Sequence, residues 1–105
     1  MKIVDWDDTV MNDGNVIYGR LYGEEFAKDQ NLIWYINRNI PIIIRIDDCV
    51  EAINDSFIKG FFGQVFKEYR KKSAISTFFT IEANEYYKRL IDKNWTILEA
   101  INYER

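Results

Sequence analysis

Apolar positions along the chain switch between two spacings, and each switch marks an element. Lys2–Val4 is a short apolar piece that reads as an edge strand. The polar stretch 9–15 contains Asn12-Asp13-Gly14, a turn signal, and Val16-Ile17-Tyr18 after it reads as a brief second strand, so a hairpin is expected here. From Gly19 to Asn39 the pattern turns helical: Tyr22, Phe26, Ile33, Ile36 and Ile40 fall near one face, with Glu24, Lys28 and Asp29 off it. Gly23 weakens the first turn, and Asn39 before Pro41 is a natural stop. Pro41–Ile46 is apolar apart from Arg45 and rich in branched residues, as expected of a central strand covered on both faces. Asp47-Asp48 ends it.

A second helix is predicted from Ser56 to about Arg70, with Ile58, Phe62, Val65, Phe66 and Tyr69 in one stripe that Phe57 and Phe61 widen. Gly60 and Gly63 lie inside it, each at a cost of about 1 kcal/mol relative to Ala, which points to close backbone approach by a neighbouring element or a partner, with close packing on the sheet the favoured reading. Ile75–Ile81 reads as a strand because Thr77, Phe78, Phe79 and Thr80 are strand formers. Asn84 is placed to cap a third helix with Tyr87, Leu90 and Ile91 inward. After Asn94, the residues Trp95, Ile97, Ile101 and Tyr103 recur mostly two apart. They fit a final strand, or a helix with Leu98 and Ile101 facing in. Strands joined through helices run parallel with right-handed crossovers. The expected fold is therefore one α/β domain over 1–105, a small sandwich of four to five mostly parallel strands flanked by about three helices.

Composition narrows the function. At 105 residues, with 48% hydrophobic and 16% aromatic positions, the chain can build one core and has no room for a separate substrate domain. Lys and Arg number 14 against 17 Asp and Glu, a net charge of −3 that argues against nucleic acid as the partner. The one basic run, Arg70-Lys71-Lys72, falls at a helix end, where cations suit the dipole. Histidine is absent and Cys49 stands alone, which removes the commonest general base, disulfides and structural zinc; no metal or cofactor is expected. Ile42-Ile43-Ile44 is too short to cross a bilayer, the first residues meet acid too early for a secretion signal, and a lone cysteine suits a reducing compartment. The expected location is the cytoplasm, with no membrane partner.

The densest chemistry lies between Arg45 and Gly63, where a strand ends in acid, a loop follows, and Asp55-Ser56 opens a helix. Asp and Ser there are preferred helix caps. The alternative is a phosphoacceptor hydroxyl at a helix N-terminus, where free N–H groups and the dipole tolerate a phosphate that still places nearly two negative charges on a partner surface. The two roles can coexist. The segment resembles the STAS domain of anti-sigma-factor antagonists, and more closely the STAS-like group of small bacterial proteins. The likeness rests on Ile42-Ile43-Ile44-Arg45-Ile46-Asp47, on Asp55-Ser56-Phe57, on Phe61-Phe62-Gly63, and upstream on Gly19-Arg20-Leu21-Tyr22-Gly23. It covers roughly 16–91. The resemblance implies a signalling module that binds protein and catalyses nothing. Ser56 would be its phosphoacceptor and a histidine-kinase-like ATPase or another regulator its partner. Phe57 and Ile58 depart from the family's small residue and glycine after the serine. The expected partner surface comprises Asp47, Asp48, Asp55, Ser56 and Lys59. A stand-alone inhibitor, for example a phage- or defence-related one that binds a protein target constitutively, fits the same size, and an edge strand or the first helix could pair two copies.

A second string, Asp5-Trp6-Asp7-Asp8-Thr9, resembles the first motif of haloacid-dehalogenase-type phosphatases. There Asp5 would be the nucleophile and Asp7 the acid/base beside Mg²⁺, with Asp47-Asp48 as a second acidic cluster. The chain is short for that family, and the Ser/Thr and Lys motifs that the family places between its acidic clusters are not found. The same residues also read as a solvated turn. Trp6, Trp34 and Trp95 are candidates for core or interface. Cys49 sits among acids that raise a thiol pKa, which argues against a catalytic role. Tyr86, Tyr87 and Lys88 read as helix surface and core.

Overall fold

The computed structural model describes residues 1–103. Its elements are β1 (Lys2–Trp6), β2 (Val16–Ile17), α1 (Arg20–Gln30), α2 (Leu32–Asn37), β3 (Ile42–Ile46), β4 (Ala52–Ile53), α3 (Asp55–Tyr69), α4 (Lys72–Phe78), β5 (Phe79–Glu82) and α5 (Glu85–Tyr103). The main sheet is parallel in the order β1-β3-β5, so the apolar run 42–46 is its centre as expected.

Register explains the core. Val4 pairs with Ile44, Trp6 with Ile46 and Ile42 with Phe79. All six are buried on one face, where they meet Phe57, Phe61 and Phe62 of α3 and Trp95 of α5. The opposite face is bare. Ile3 is 40% exposed, Ile43 is half-buried, and Asp5, Arg45, Thr80 and Glu82 are exposed. The expectation that β3 is covered on both faces is thus corrected. Both crossovers step the same way along the sheet, and right-handed crossovers that do so lie on the same side.

Four more expectations change. The turn at Asn12-Asp13-Gly14 forms, with Gly14 at φ 60 and Asn12 holding both the N–H and the carbonyl of Tyr18. No hairpin with β1 results, however. The turn delivers β2 to β4, where Val16 pairs with Ala52 and Ile17 with Ile53 in parallel. The helix expected over 19–39 breaks at Asn31, which adopts φ 56 and ends α1 while starting α2; asparagine tolerates that left-handed conformation better than most residues. The strand expected over 75–81 shortens to Phe79–Glu82. The residues before it form α4, whose first N–H donates to Glu99 Oε2 of α5 at 2.7 Å and whose Thr77 hydroxyl bonds back to Ala74 O. The last segment is not a strand. With no Gly or Pro between Glu85 and Tyr103, α5 runs on. It buries Ile91, Trp95, Leu98 and Asn102 and leaves Ile101 52% exposed. Asn84 caps α5 as expected, accepting from Tyr87 N at 2.9 Å.

Helices α1 and α3 touch backbone to backbone. A Cβ on Gly60 would lie 2.1 Å from Arg20 O, and one on Gly23 would lie 2.3 Å from Phe57 O. Side chains at either position would drive the helices apart, so Gly60 serves a contact with α1 and not the expected close packing on the sheet, and a Cβ on Gly63 would meet nothing within 4 Å.

Candidate functional site

The chain leaves the sheet centre at Asp47, whose N–H donates to Trp6 O at 3.0 Å. A turn follows, closed by Val50 N to Asp47 O at 3.1 Å, and the Asp47 carboxylate accepts from Cys49 N at 2.8 Å. That bond to the charged form, together with the thiol's, holds the Asp47 carboxyl below its usual range. Val50 is buried and its carbonyl accepts from the Tyr87 hydroxyl of α5, which pins the loop to the body. Glu51 N then donates to Asn15 O at 2.8 Å and Asn54 N to Ile17 O at 2.9 Å, so the small β2–β4 ribbon fixes where α3 begins.

At that entrance the caps differ from expectation. Neither Asp55 nor Ser56 is the N-cap. Asn54 is, its side-chain oxygen accepting from Ser56 N at 2.8 Å. Asn54 is as good a cap as its neighbours by residue type, and only the β4 register selects it. Asp55 turns toward α5, accepting from Asn94 Nδ2 at 2.9 Å with Lys93 Nζ at 3.5 Å. Asn94 foremost, then Lys93 and Lys59, hold the Asp55 carboxyl below its usual range. Ser56 is exposed, and its hydroxyl makes no hydrogen bond among the described residues. Asp48 is exposed and Lys59 half-buried. Asp47 and Asp48 lie in the loop after β3, Ser56 and Lys59 lie in the first turns of α3, and the carboxylate of Asp55 serves the fold. The α5 tie was not foreseen. Its available signal was a polar residue, Asn94, among the inward positions Tyr87, Ile91, Trp95 and Leu98.

Cys49 is exposed, but its thiol is pushed up to about 11, first by its hydrogen bond to Asp47, then by partial desolvation and the charges of Asp47, Asp8 and Asp7. Only the thiolate attacks electrophiles, and here it forms far above neutrality. Cys49 is expected to react with iodoacetamide at pH 8 about tenfold or more slowly than cysteine in a short peptide. Asp47→Asn should bring the rate back toward the peptide's. A wild-type rate equal to the peptide's would refute the hydrogen bond.

The phosphatase-like string is placed differently. Asp5 lies on the bare face of the sheet with both oxygens on Arg45, Nε at 2.8 Å and Nη2 at 3.2 Å. Asp7 closes a turn, accepting from Thr9 N at 3.0 Å and Thr9 Oγ1 at 2.6 Å. These residues, with Asp47, Asp48 and Glu82, line an open hollow of about 480 Å³ beyond the strand ends. Among the described residues no three acidic or thiol side chains are arranged to hold a metal ion. Of the tryptophans, Trp6 and Trp95 are core and Trp34 is 48% exposed, with the Arg38 guanidinium 3.9 Å above its ring. No helix among the described residues is long and apolar enough to cross a membrane.

Comparison of the chain with protein-family models, with curated proteins and with solved structures gave no match.

Proposed function

We propose that the protein is a small cytoplasmic regulatory module of STAS-like type that binds a protein partner through the entrance of α3, with Ser56 as its phosphoacceptor. One observation carries the reading: Asn54 has taken over the capping of α3, so the exposed Ser56 hydroxyl in the first turn has no structural duty. Its modification would leave the helix intact. A phosphate there would meet the positive end of the α3 dipole and the ammonium of Lys59 one turn along, and would add nearly two negative charges to the exposed surface at the start of α3. The fold tolerates the added charge, and the partner surface does not. A kinase-like ATPase is the partner class that the sequence resemblance implies. A second reading, a constitutive inhibitor, is supported by Trp34, an exposed aromatic on an element apart from Ser56.

The test uses the protein partner that the wild-type chain captures from its native cell. Ser56→Asp is expected to weaken that complex about tenfold or more, the scale of one misplaced charge at an interface. Ser56→Ala should retain it, and both variants should keep the wild-type circular dichroism. Equal capture by Ser56→Asp would end the switch and favour constitutive binding.

A further inference from the structure

We propose that the cleft between α1 and α3 is a docking groove for an acidic amphipathic helix of a partner protein. The proposal rests on the reading of the chain as a protein-binding module, and not on phosphorylation of Ser56.

Gly60 and Gly23 bring the two backbones together. Beside that contact lies a cleft of about 510 Å³, with walls from α1, the start of α2 and α3. Its lining is apolar at depth, with Ala27, Leu32, Phe61 and Val65, and half-buried Ile33 and exposed Trp34 at one end. Grooves between helices receive the apolar stripe of a third helix, read at i, i+3, i+4 and i+7.

Charge selects the sign of the occupant. The rim carries Arg20, Lys28 and Lys67 against the single carboxylate of Glu24. Glu24 is engaged with Arg20 at 3.6 Å, whereas Lys28 and Lys67 form no ion pair among the described residues. A chain of net charge −3 thus concentrates positive charge around its apolar cleft. Acidic side chains flanking an apolar stripe complement such a rim. Nucleic acid fits less well, because the buried lining of the cleft is apolar and the second hollow of the surface is lined mostly by carboxylates.

Gly63 supports the same reading. It lines the cleft, and a Cβ placed on it would meet nothing within 4 Å. Unlike at Gly60, the missing side chain therefore serves no close approach by another element among the described residues. The room it leaves in the wall admits close approach by another backbone.

The probe is a helical peptide of about 18 residues with Leu at i, i+3, i+4 and i+7 and Glu beside them. A second peptide carries Lys in place of Glu. Trp34 reports occupancy, because Trp6 and Trp95 are 0% and 6% exposed. The acidic peptide is expected to shift Trp34 emission and the amide resonances of Lys28, Gly63 and Lys67, more weakly as salt rises, and the basic peptide to do neither. Gly63→Leu places its Cβ in open space on the cleft wall and its branched end in the cleft, and should weaken binding at least about tenfold while circular dichroism reports a folded protein. Lys28→Glu with Lys67→Glu should do the same, and Thr80→Ala, exposed on β5 and outside the cleft lining, should bind as the parent does. The groove is overturned by the absence of any shift with the acidic peptide, by equal binding of the basic one, or by an intact affinity in Gly63→Leu. Loss of binding in Ser56→Ala alone would move the contact to the α3 entrance and also overturn it. Concentration-dependent shifts at the same amides without peptide, with a doubled mass in sedimentation, would assign the groove to a second copy instead. Preferential binding of a single-stranded oligonucleotide there would assign it to nucleic acid.

Discussion

Gly60→Ala is expected to lower the melting temperature by about 10 °C or more, whereas Gly63→Ala, one turn further along the same helix, is expected to raise it by about 3–6 °C. Both replacements gain the same intrinsic helix propensity, about 1 kcal/mol. What differs is the space. At Gly60 the new methyl would meet Arg20 O at 2.1 Å, Arg20 C at 2.9 Å and Arg20 Cα at 3.1 Å, all backbone atoms that no rotamer change can move. The helices would have to part by roughly 1 Å to recover ordinary contact, and the ring packing that joins them would loosen with them. Phe57 and Phe61 of α3 lie against Tyr22 and Phe26 of α1 with centroids 5.6–6.2 Å apart, so the separation opens a seam of aromatic contacts. A net loss of about 2–3 kcal/mol follows. At Gly63 nothing stands in the way, and the propensity gain appears unopposed. Thermal unfolding of the two variants side by side reads the difference. Shifts in the same direction would show that the crossing is not sterically closed.

The contrast also shows what was legible in the sequence. Two glycines at helical spacing looked alike, and only the position of α1 separates their roles. The sheet centre was readable, because Ile42, Ile44 and Ile46 stand at strand spacing between a proline and two acids. Its bare second face was harder to see. Ile43 continues the apolar run and conceals the alternation, and Arg45 was the one residue that disclosed it. Short elements were misread wherever local propensity and register disagreed. Thr77 and Phe78 favour strands, yet only Phe79–Glu82 can reach β3. Val16–Ile17 has no sequence signal that names β4 as its partner. At the candidate site the acids, the serine and the helix start were legible. The division of labour was not, because Asn54, Asp55 and Ser56 are all good caps and the choice among them is made by a hydrogen bond from Asn54 N to Ile17 O, far away in sequence.

Phe62→Ala should cost about 3–5 kcal/mol, the largest effect of any single side-chain truncation considered. Phe62 is fully buried and touches rings from three other elements. Its centroid lies 6.3 Å from Trp6 of β1, 5.2 Å from Phe79 of β5 and 5.3 Å from Trp95 of α5, the last two in edge-to-face geometry. Each such ring pair adds about 0.5–1.5 kcal/mol beyond burial alone. Truncation removes them together and leaves a hole lined by rigid rings, which collapse into space poorly. The surroundings include the Nε1 groups of Trp6 and Trp95, both buried without a hydrogen-bond partner among the described residues, so the core already carries desolvated polar groups before the loss. A domain of this size has about 5–15 kcal/mol in all, so the loss is from about a fifth to the whole of its stability. Phe62→Leu keeps most of the volume and gives up the edge contacts, and its expected loss is smaller, about 1–2 kcal/mol. Urea unfolding followed by far-ultraviolet circular dichroism measures both through the midpoint at constant slope. A loss under about 1.5 kcal/mol for Phe62→Ala would mean that the neighbouring rings close the gap. The sheet, α3 and α5 would then be joined by diffuse packing, and the α3 entrance with its Asp55–Asn94 tie would not depend on one ring for its position.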